Sequence, residues 1–185
     1  MTETVVDISG YAYGDGELND SHHYLVPSLL TILASLPIAP GDRRVFDLGC
    51  GNGAVASVLE QKGYQVTGVE VSTQALEHAR GRYPHLRLSH GSAYEALAET
   101  YGRFPVVVSL EVVEHLYAPR VFAKTLYDLV ASSGTAVVST PYHGYWKNLA
   151  LALTGRLDAH FTALWDHGHI KFWSMRTLRA LLVEA

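Results

Sequence analysis

The segment Asp47-Leu48-Gly49-Cys50-Gly51-Asn52-Gly53 sets three glycines at alternate positions, behind a short apolar run and ahead of a helical pattern. Without side chains, Gly49, Gly51 and Gly53 let the backbone take positive φ and come close to a ligand. A helix starting at Ala54 would offer N–H groups that its own turns leave unsatisfied. Glu70 closes the next apolar run, Gln65–Val69. A carboxylate there can accept two hydrogen bonds from a vicinal diol. Glycines and carboxylate together suit a nucleoside cofactor lying across the carboxyl ends of parallel strands. Glycines in a strand–helix turn that serve tight packing alone are the plainer reading.

Two cofactor types share these features. Gly49, Gly51 and Ala54 also fit the G-x-G-x-x-A dinucleotide fingerprint, with Glu70 on the ribose. Asp47 separates them. A dinucleotide brings a diphosphate to the glycines, which a nearby carboxylate repels. S-adenosylmethionine (SAM) has no phosphate and carries a sulfonium and an amino group, so the same carboxylate is compatible with it.

With Gly68-Val69-Glu70 downstream, the segment resembles the class I SAM-dependent methyltransferases from Val45 to about Leu182. The resemblance implies that Asp47, Gly49, Cys50, Gly51 and Gly53 line the methionyl and ribose parts of SAM, whose product is S-adenosylhomocysteine (SAH). It implies that Glu70 holds the ribose and Val71 covers one adenine face, unless Val71 is plain core. The loop after strand three usually meets the adenine through an acid. Here it reads His90-Gly91-Ser92-Ala93, so Ser92 and Ala93 take that place without a carboxylate. Leu110 and Glu111, at the end of strand four, are expected beneath the methyl group.

A second constellation follows that strand: Glu111, Glu114 and His115. In a helix these positions, i, i+3 and i+4, share one face. They suit a catalytic base, with the imidazole oriented by a carboxylate, or the binding of a divalent ion. The reading adopted is catalysis by His115, Glu111 and Glu114 without a metal. The alternative is a metal held by Glu111, Glu114, His115 and His169. The Glu-x-x-Glu-His spacing resembles two branches of the family: the O-methyltransferases of ubiquinone biosynthesis, and the small-RNA 2′-O-methyltransferases, where such residues bind a metal. His167 and His169, in Asp-His-Gly-His-Ile-Lys-Phe-Trp, resemble the histidine stretch before the last helix of both. Capping and bracing of the strand-four loop is the bland role for Glu111 and His115.

Several elements must position these groups. Apolar runs alternate with helical patterns, which predicts parallel strands joined by crossover helices. Strands are expected at Arg44–Leu48, Gln65–Val69, Leu86–Ser89, Val106–Leu110 and Thr135–Ser139. Helices are expected at His22–Leu36, Ala54–Lys62, Thr73–Arg82, Ala93–Thr100 and Pro119–Val130, and from Ser174 onward. Ser72 suits an N-cap, and Pro119 suits a first turn. The fold class is α/β, a Rossmann-like doubly wound parallel sheet with helices on both faces. The resemblance implies that its five strands take the order 3-2-1-4-5, with the fifth as an edge. Strands six and seven of the family's fold would follow the last helix and are expected to be missing here. The 185 residues read as one domain. It comprises an N-terminal helix or lid (1–40), a cofactor-binding core (41–140) and a substrate cap (141–173).

The cap is rich in aromatics and histidines. Tyr142, His143, Trp146 and His169 are the expected substrate residues, with Tyr145, Phe161, Trp165, Phe172 and Trp173 around them or in the core. Aromatics suit a flat or apolar acceptor. The run Asn148–Leu153 would suit a buried helix or a membrane surface. Tyr11, Tyr13, His22, His23 and Tyr24 precede the core and suit a lid over the cofactor. The lid would exclude water from the methyl transfer.

Composition bounds the function. Apolar residues make up 48% and charged residues 17%, a globular balance. The net charge of −4 argues against DNA and against RNA as partners. One cysteine, Cys50, allows no internal disulfide, and no basic, apolar leader opens the chain, so a cytoplasmic setting is expected. No run reaches the roughly 18 apolar residues of a membrane span. The expected activity is methyl transfer from SAM to a small hydroxylated, aromatic or apolar acceptor, with O-methylation favoured. Beside it stand RNA 2′-O-methylation and a non-catalytic SAM-binding or interaction domain. A NAD-linked oxidoreductase is opposed by Asp47. Peripheral membrane contact and a homodimer complete the expected associations.

Overall fold

The computed structural model describes residues 21–161, 164 and 168–185. Tyr11, Tyr13, Trp165 and His167 lie outside the described residues. Strands β1 (Arg44–Leu48), β2 (Gln65–Glu70), β3 (Arg87–His90), β4 (Phe104–Leu110) and β5 (Val130–Ser139) form one sheet. Every pairing is parallel, as the alternation of patterns predicts, and the order is β3-β2-β1-β4-β5, as the resemblance implies. The helices are α1 (His22–Ser35), α2 (Ala54–Gln61), α3 (Thr73–Arg82), α4 (Leu97–Tyr101), α5 (Pro119–Leu129), α6 (Tyr145–Leu153), α7 (Leu157–Phe161) and α8 (Met175–Glu184).

Successive strand residues point to opposite faces, and both faces of β1 are covered. Phe46 and Leu48 pack with Phe122, Leu126 and Leu129 of α5 and with Leu181 of α8. Val45 packs with Leu29 and Leu33 of α1 and Val55 and Leu59 of α2. Asp47 shares the face of Val45, so its carboxylate is carried into an apolar layer at the carboxyl end of the strand. The flanking helices are fixed locally. The Ser72 hydroxyl accepts from Ala75 N at the start of α3 (3.1 Å). Ser174 and Thr177 form a reciprocal cap on α8.

Two elements differ from expectation. The helix expected over Ala93–Thr100 shrinks to α4, Leu97–Tyr101. Ser92 draws the chain into a turn instead: its hydroxyl accepts from Tyr94 N (3.2 Å) and its carbonyl from Glu95 N (3.1 Å). Strand β5 starts at Val130, five residues before expectation, by way of a bulge. Val130 pairs with Phe104 and Thr135 with Val106, so residues 131–134 are looped out. Pro105 in β4 has no N–H to donate at that point. Gly134 fits because a Cβ there would lie 2.9 Å from the Pro105 carbonyl oxygen. Among the described residues β5 is an edge, and the cap segment adds only an isolated Tyr142–Trp173 bridge.

Candidate active site

The glycine loop is bound to the end of β2 by backbone and by Glu70. Gly49 N and Cys50 N both donate to the Val69 carbonyl (2.9 and 3.0 Å). Gly51 N donates to Glu70 Oε2 (2.9 Å) and Ser72 N to Glu70 Oε1 (2.8 Å). Gly49, Gly51 and Gly53 have φ of 87°, 53° and 77°, which only glycine adopts readily. At Gly49 space is limiting as well: a Cβ would lie 2.4 Å from Val112 Cγ2. Cys50 is buried against Gly68, and burial, with the charges of Asp47 and Glu70, pushes its thiol well above the ordinary value.

Asp47 and Glu70 are 3% and 6% exposed, two carboxylates at the end of adjacent strands. Burial, and then the charge of Glu70, raises Asp47 to about 7. Its Oδ2 has no hydrogen-bond partner. A buried carboxylate in that state lacks a cation or a donor. SAM fits these residues: a cationic methionyl end for Asp47, a ribose diol for Glu70, and no phosphate to repel. Val71, Ser92 and Ala93 lie partly buried at the ends of β2 and β3, with Ala93 packed against the core. Leu110 is partly buried and packs with the other apolar layer.

The second constellation is not helical. Only Val113–His115 forms a single 3₁₀ turn, and Glu111 precedes it at φ 56°. Glu111 is therefore not on one helical face with Glu114 and His115. Its carboxylate accepts from Ser139 Oγ (2.7 Å). The group brought together is Glu114, His115 and His169, with ligand atoms within 4.8 Å of one another. The candidate metal set thus has three members, and Glu111 stands outside it. The segment carrying His169 is strapped to the turn: Ile170 N and Lys171 N donate to the Glu114 carbonyl (3.0 and 2.9 Å). Trp173 Nε1 donates to the Val113 carbonyl (3.3 Å).

Glu114 is 1% exposed, and neither carboxylate oxygen has a hydrogen bond of sound geometry. Burial first, then the charge of Glu111, raises it to about 8, with the nearby Thr140 hydroxyl offsetting part of the rise. Glu111 is raised by burial and held back by Ser139. His169 is lowered by burial, His160 and Lys147, which favours a neutral imidazole. Tyr24, in the first turn of α1, is raised by burial and by Glu111 and Glu114. That influence places the start of α1 within electrostatic reach of the site.

The cap residues divide. His143 is partly buried among Phe161, Phe172 and His160, with ring centroids 4.9–5.7 Å away. Its Nδ1 and His160 Nε2 lack hydrogen-bond partners. Burial, then Lys147, His160 and His169, lowers His143. Tyr142 and Trp146 are exposed, as are Tyr145 and Leu153 on α6, which buries no residue. Sequence reasoning missed Ser139, Thr140 and His160. The signal for the first two was available: Ser139 ends β5 and Thr140 follows it, and the carboxyl end of β5 must adjoin that of β4 in a parallel sheet.

Known proteins match this arrangement. A family model described as a methyltransferase domain matches residues 20–185. A ubiquinone biosynthesis O-methyltransferase of Caulobacter sp. (strain K31) is 33% identical over 147 residues, covering 75% of this chain and 57% of that relative. The protein of the same name from Bradyrhizobium diazoefficiens is 34% identical over 117 residues, covering 62% of this chain and 46% of its own. The chain spans about half the length of these curated relatives. A SAM-dependent methyltransferase from Archaeoglobus fulgidus shares the fold with a TM-score of 0.63 at 19% identity, covering 88% of this chain and 67% of that one. The YcgJ protein of Bacillus subtilis does so with a TM-score of 0.69 at 17% identity, covering 88% and 68%. No helix of the described residues is long and apolar enough to cross a membrane.

Proposed function

This chain belongs to the methyltransferase-domain family, and on that premise we propose that it transfers the methyl group of SAM to a hydroxyl of a small aromatic or apolar acceptor. The observation that carries the proposal is a pairing at the carboxyl ends of the central strands. Buried Asp47, whose Oδ2 has no partner, stands beside the glycine loop and meets the needs of a cationic cofactor. The Glu114–His115–His169 group, built on the turn after the neighbouring strand β4, can take a proton from an oxygen acceptor. The ubiquinone biosynthesis O-methyltransferases among the relatives support O-methylation of a hydroxylated ring.

SAM, when bound, supplies an electrophilic methyl on a sulfonium. Gly49, Gly51 and Gly53 keep the loop free of side chains where the cofactor would lie, and Glu70 fixes that loop while offering its carboxylate to the ribose. Asp47 provides a counter-charge. Neutral His169, together with His115 and Glu114, can accept and pass on the acceptor's proton. The work of the remaining residues is alignment of acceptor oxygen, methyl and sulfur. Phe161, Phe172 and His143 would supply the wall for a flat acceptor, and exposed Tyr145, Trp146 and Leu153 support one delivered from a lipid surface.

A second reading is supported by the same trio. Three ligand atoms within 4.8 Å could hold a divalent ion that binds the acceptor oxygen. Methyl transfer from labelled SAM to catechols, phenols, lipidic quinols and RNA ends tests the function. Transfer to the ring hydroxyls supports it; a protein that binds SAM and methylates only RNA ends, or nothing, overturns it. Activity lost in EDTA and restored by magnesium or manganese supports the ion; indifference to EDTA supports the proton relay.

A further inference from the structure

Glu111 is the one non-glycine residue with positive φ among the described residues, at 56°. A left-handed conformation crowds Cβ against the following carbonyl, so glycine or asparagine would be the stable choice. Such strain persists where the surroundings enforce it, and it gathers at functional sites. Here one residue does the enforcing. Glu111 N donates to the Ser139 carbonyl (3.2 Å) and lies 3.1 Å from Ser139 Oγ, and Ser139 Oγ donates to Glu111 Oε1 (2.7 Å). The last register pair of the two parallel strands, Leu110 with Ser139, brings the partners together.

The turn has a consequence for charge. A helix would have set Glu111 on the face of Glu114 and His115. The left-handed residue diverts its carboxylate from that group, so the two glutamates need not share a role. A fixed carboxylate at the end of β4 would oppose the reaction if it served the sulfonium, whose charge disappears as the methyl leaves. The α-ammonium of the methionyl group keeps its charge throughout.

We propose that Ser139 is a positioning residue, holding Glu111 in its left-handed turn so that the Glu111 carboxylate joins Asp47 in receiving the α-ammonium of the cofactor. This rests on the cofactor reading above. The test needs no acceptor. SAH carries the ammonium, and 5′-methylthioadenosine has the same nucleoside and thioether without the amino-acid end. Calorimetry should show Ser139→Ala and Glu111→Gln each weakening SAH by about tenfold, the scale of a charge-assisted hydrogen bond. Neither should change the affinity for 5′-methylthioadenosine. If Ser139 acts through Glu111, the double variant is no worse than the poorer single one. Ser139→Thr, which keeps the hydroxyl, should retain binding. Glu111→Gly relieves the turn, so it should melt no lower than the wild type yet lose the same tenfold.

Parallel losses for both ligands, additive losses in the double variant, or unchanged SAH affinity overturn the positioning role alone. A wild-type protein that binds neither SAM nor SAH overturns the cofactor reading, and this inference with it.

Discussion

The two halves of the site are built differently. On the side proposed for the cofactor, the loop after β1 is tied to β2 by three backbone donors, two on the Val69 carbonyl and one on the Glu70 carboxylate, whose other oxygen accepts from Ser72 N. Three glycines and buried Asp47 complete a rigid, closely packed turn. On the side proposed for the acceptor, α6 buries no residue, and Thr140, His143, Asn148 and His160 all hold buried polar atoms without partners. A cofactor common to many reactions needs one fixed shape, and backbone supplies it. An acceptor site varies with the acceptor, and fold alone does not determine it.

The largest expected effect sharpens this contrast through pH. Asp47, with an ordinary value of 3.8, is raised to about 7, and Glu114, ordinarily 4.5, to about 8. In both, the folded state keeps the proton to higher pH than the unfolded chain. The stability they contribute is fully present below about pH 4 and is lost as pH rises through about 7 for Asp47 and about 8 for Glu114. The loss is on the order of a few kcal/mol, at about 1.4 kcal/mol per unit of displacement. Denaturant melts of wild type, Asp47→Asn and Glu114→Gln from pH 5 to 9 should show each variant flattening its own part of the slope. The halves then separate on adding SAM. A bound cation favours ionised Asp47, so binding near pH 6 should release protons, seen as a calorimetric enthalpy that depends on the buffer. Asp47→Asn should abolish the release and Glu114→Gln should not. Equal release from both variants would merge the two halves.

A smaller effect tests the rigidity of the cofactor side. Gly49→Ala combines a left-handed φ of 87° with a Cβ 2.4 Å from Val112, a β-branched side chain with few rotamers to escape into. Positive φ costs about 1–2 kcal/mol and overpacking about 1–3 kcal/mol, so a loss of about 3 kcal/mol is expected in denaturant melts. Gly155→Ala is the control: it also has positive φ, 66°, but nothing lies within 4 Å of its Cβ. Equal losses at the two glycines would show that packing adds nothing at Gly49.

The same division governs what could be read from the chain. The side proposed for the cofactor is local: glycine spacing and the carboxylate ending β2 both follow from runs of fewer than ten residues, while the order of the five strands came from the family resemblance they carry. Glu111 was misplaced because its φ is enforced by Ser139, 28 positions away, and local spacing favoured a helix. Helix α4 came out short because the Ser92 side chain competed for backbone donors that periodicity assigns to a helix. The start of β5 was hidden by a bulge that depends on Pro105 in another strand. The cap was legible as a cluster of aromatics and histidines, but which of them face inward depends on packing. His143 sits among rings, while Trp146, three residues on, is 77% exposed.

That difference between His143 and Trp146 yields the smallest expected effect on stability. Trp146 contacts Tyr145 edge-on, with ring centroids 5.6 Å apart, and Tyr145 is itself exposed. Removing a side chain that is already in solvent changes little on folding, so Trp146→Ala should alter stability by about 0.5 kcal/mol or less. Phe172→Ala removes a ring 4.9 Å from His143 and 5.0 Å from Phe161, and should cost more. The acceptor kinetics should tell a different story if α6 meets an apolar acceptor or a lipid surface. Trp146→Ala would then raise KM for a quinol with a long apolar tail and leave a short catechol unaffected, because only the tail would need the α6 surface. With kcat unchanged, that pattern is loss of binding shared by ground and transition states. A Trp146 variant as unstable as the Phe172 variant would show that α6 is packed, not exposed, in solution. Equal KM values on both acceptors would confine substrate recognition to the rings around His143.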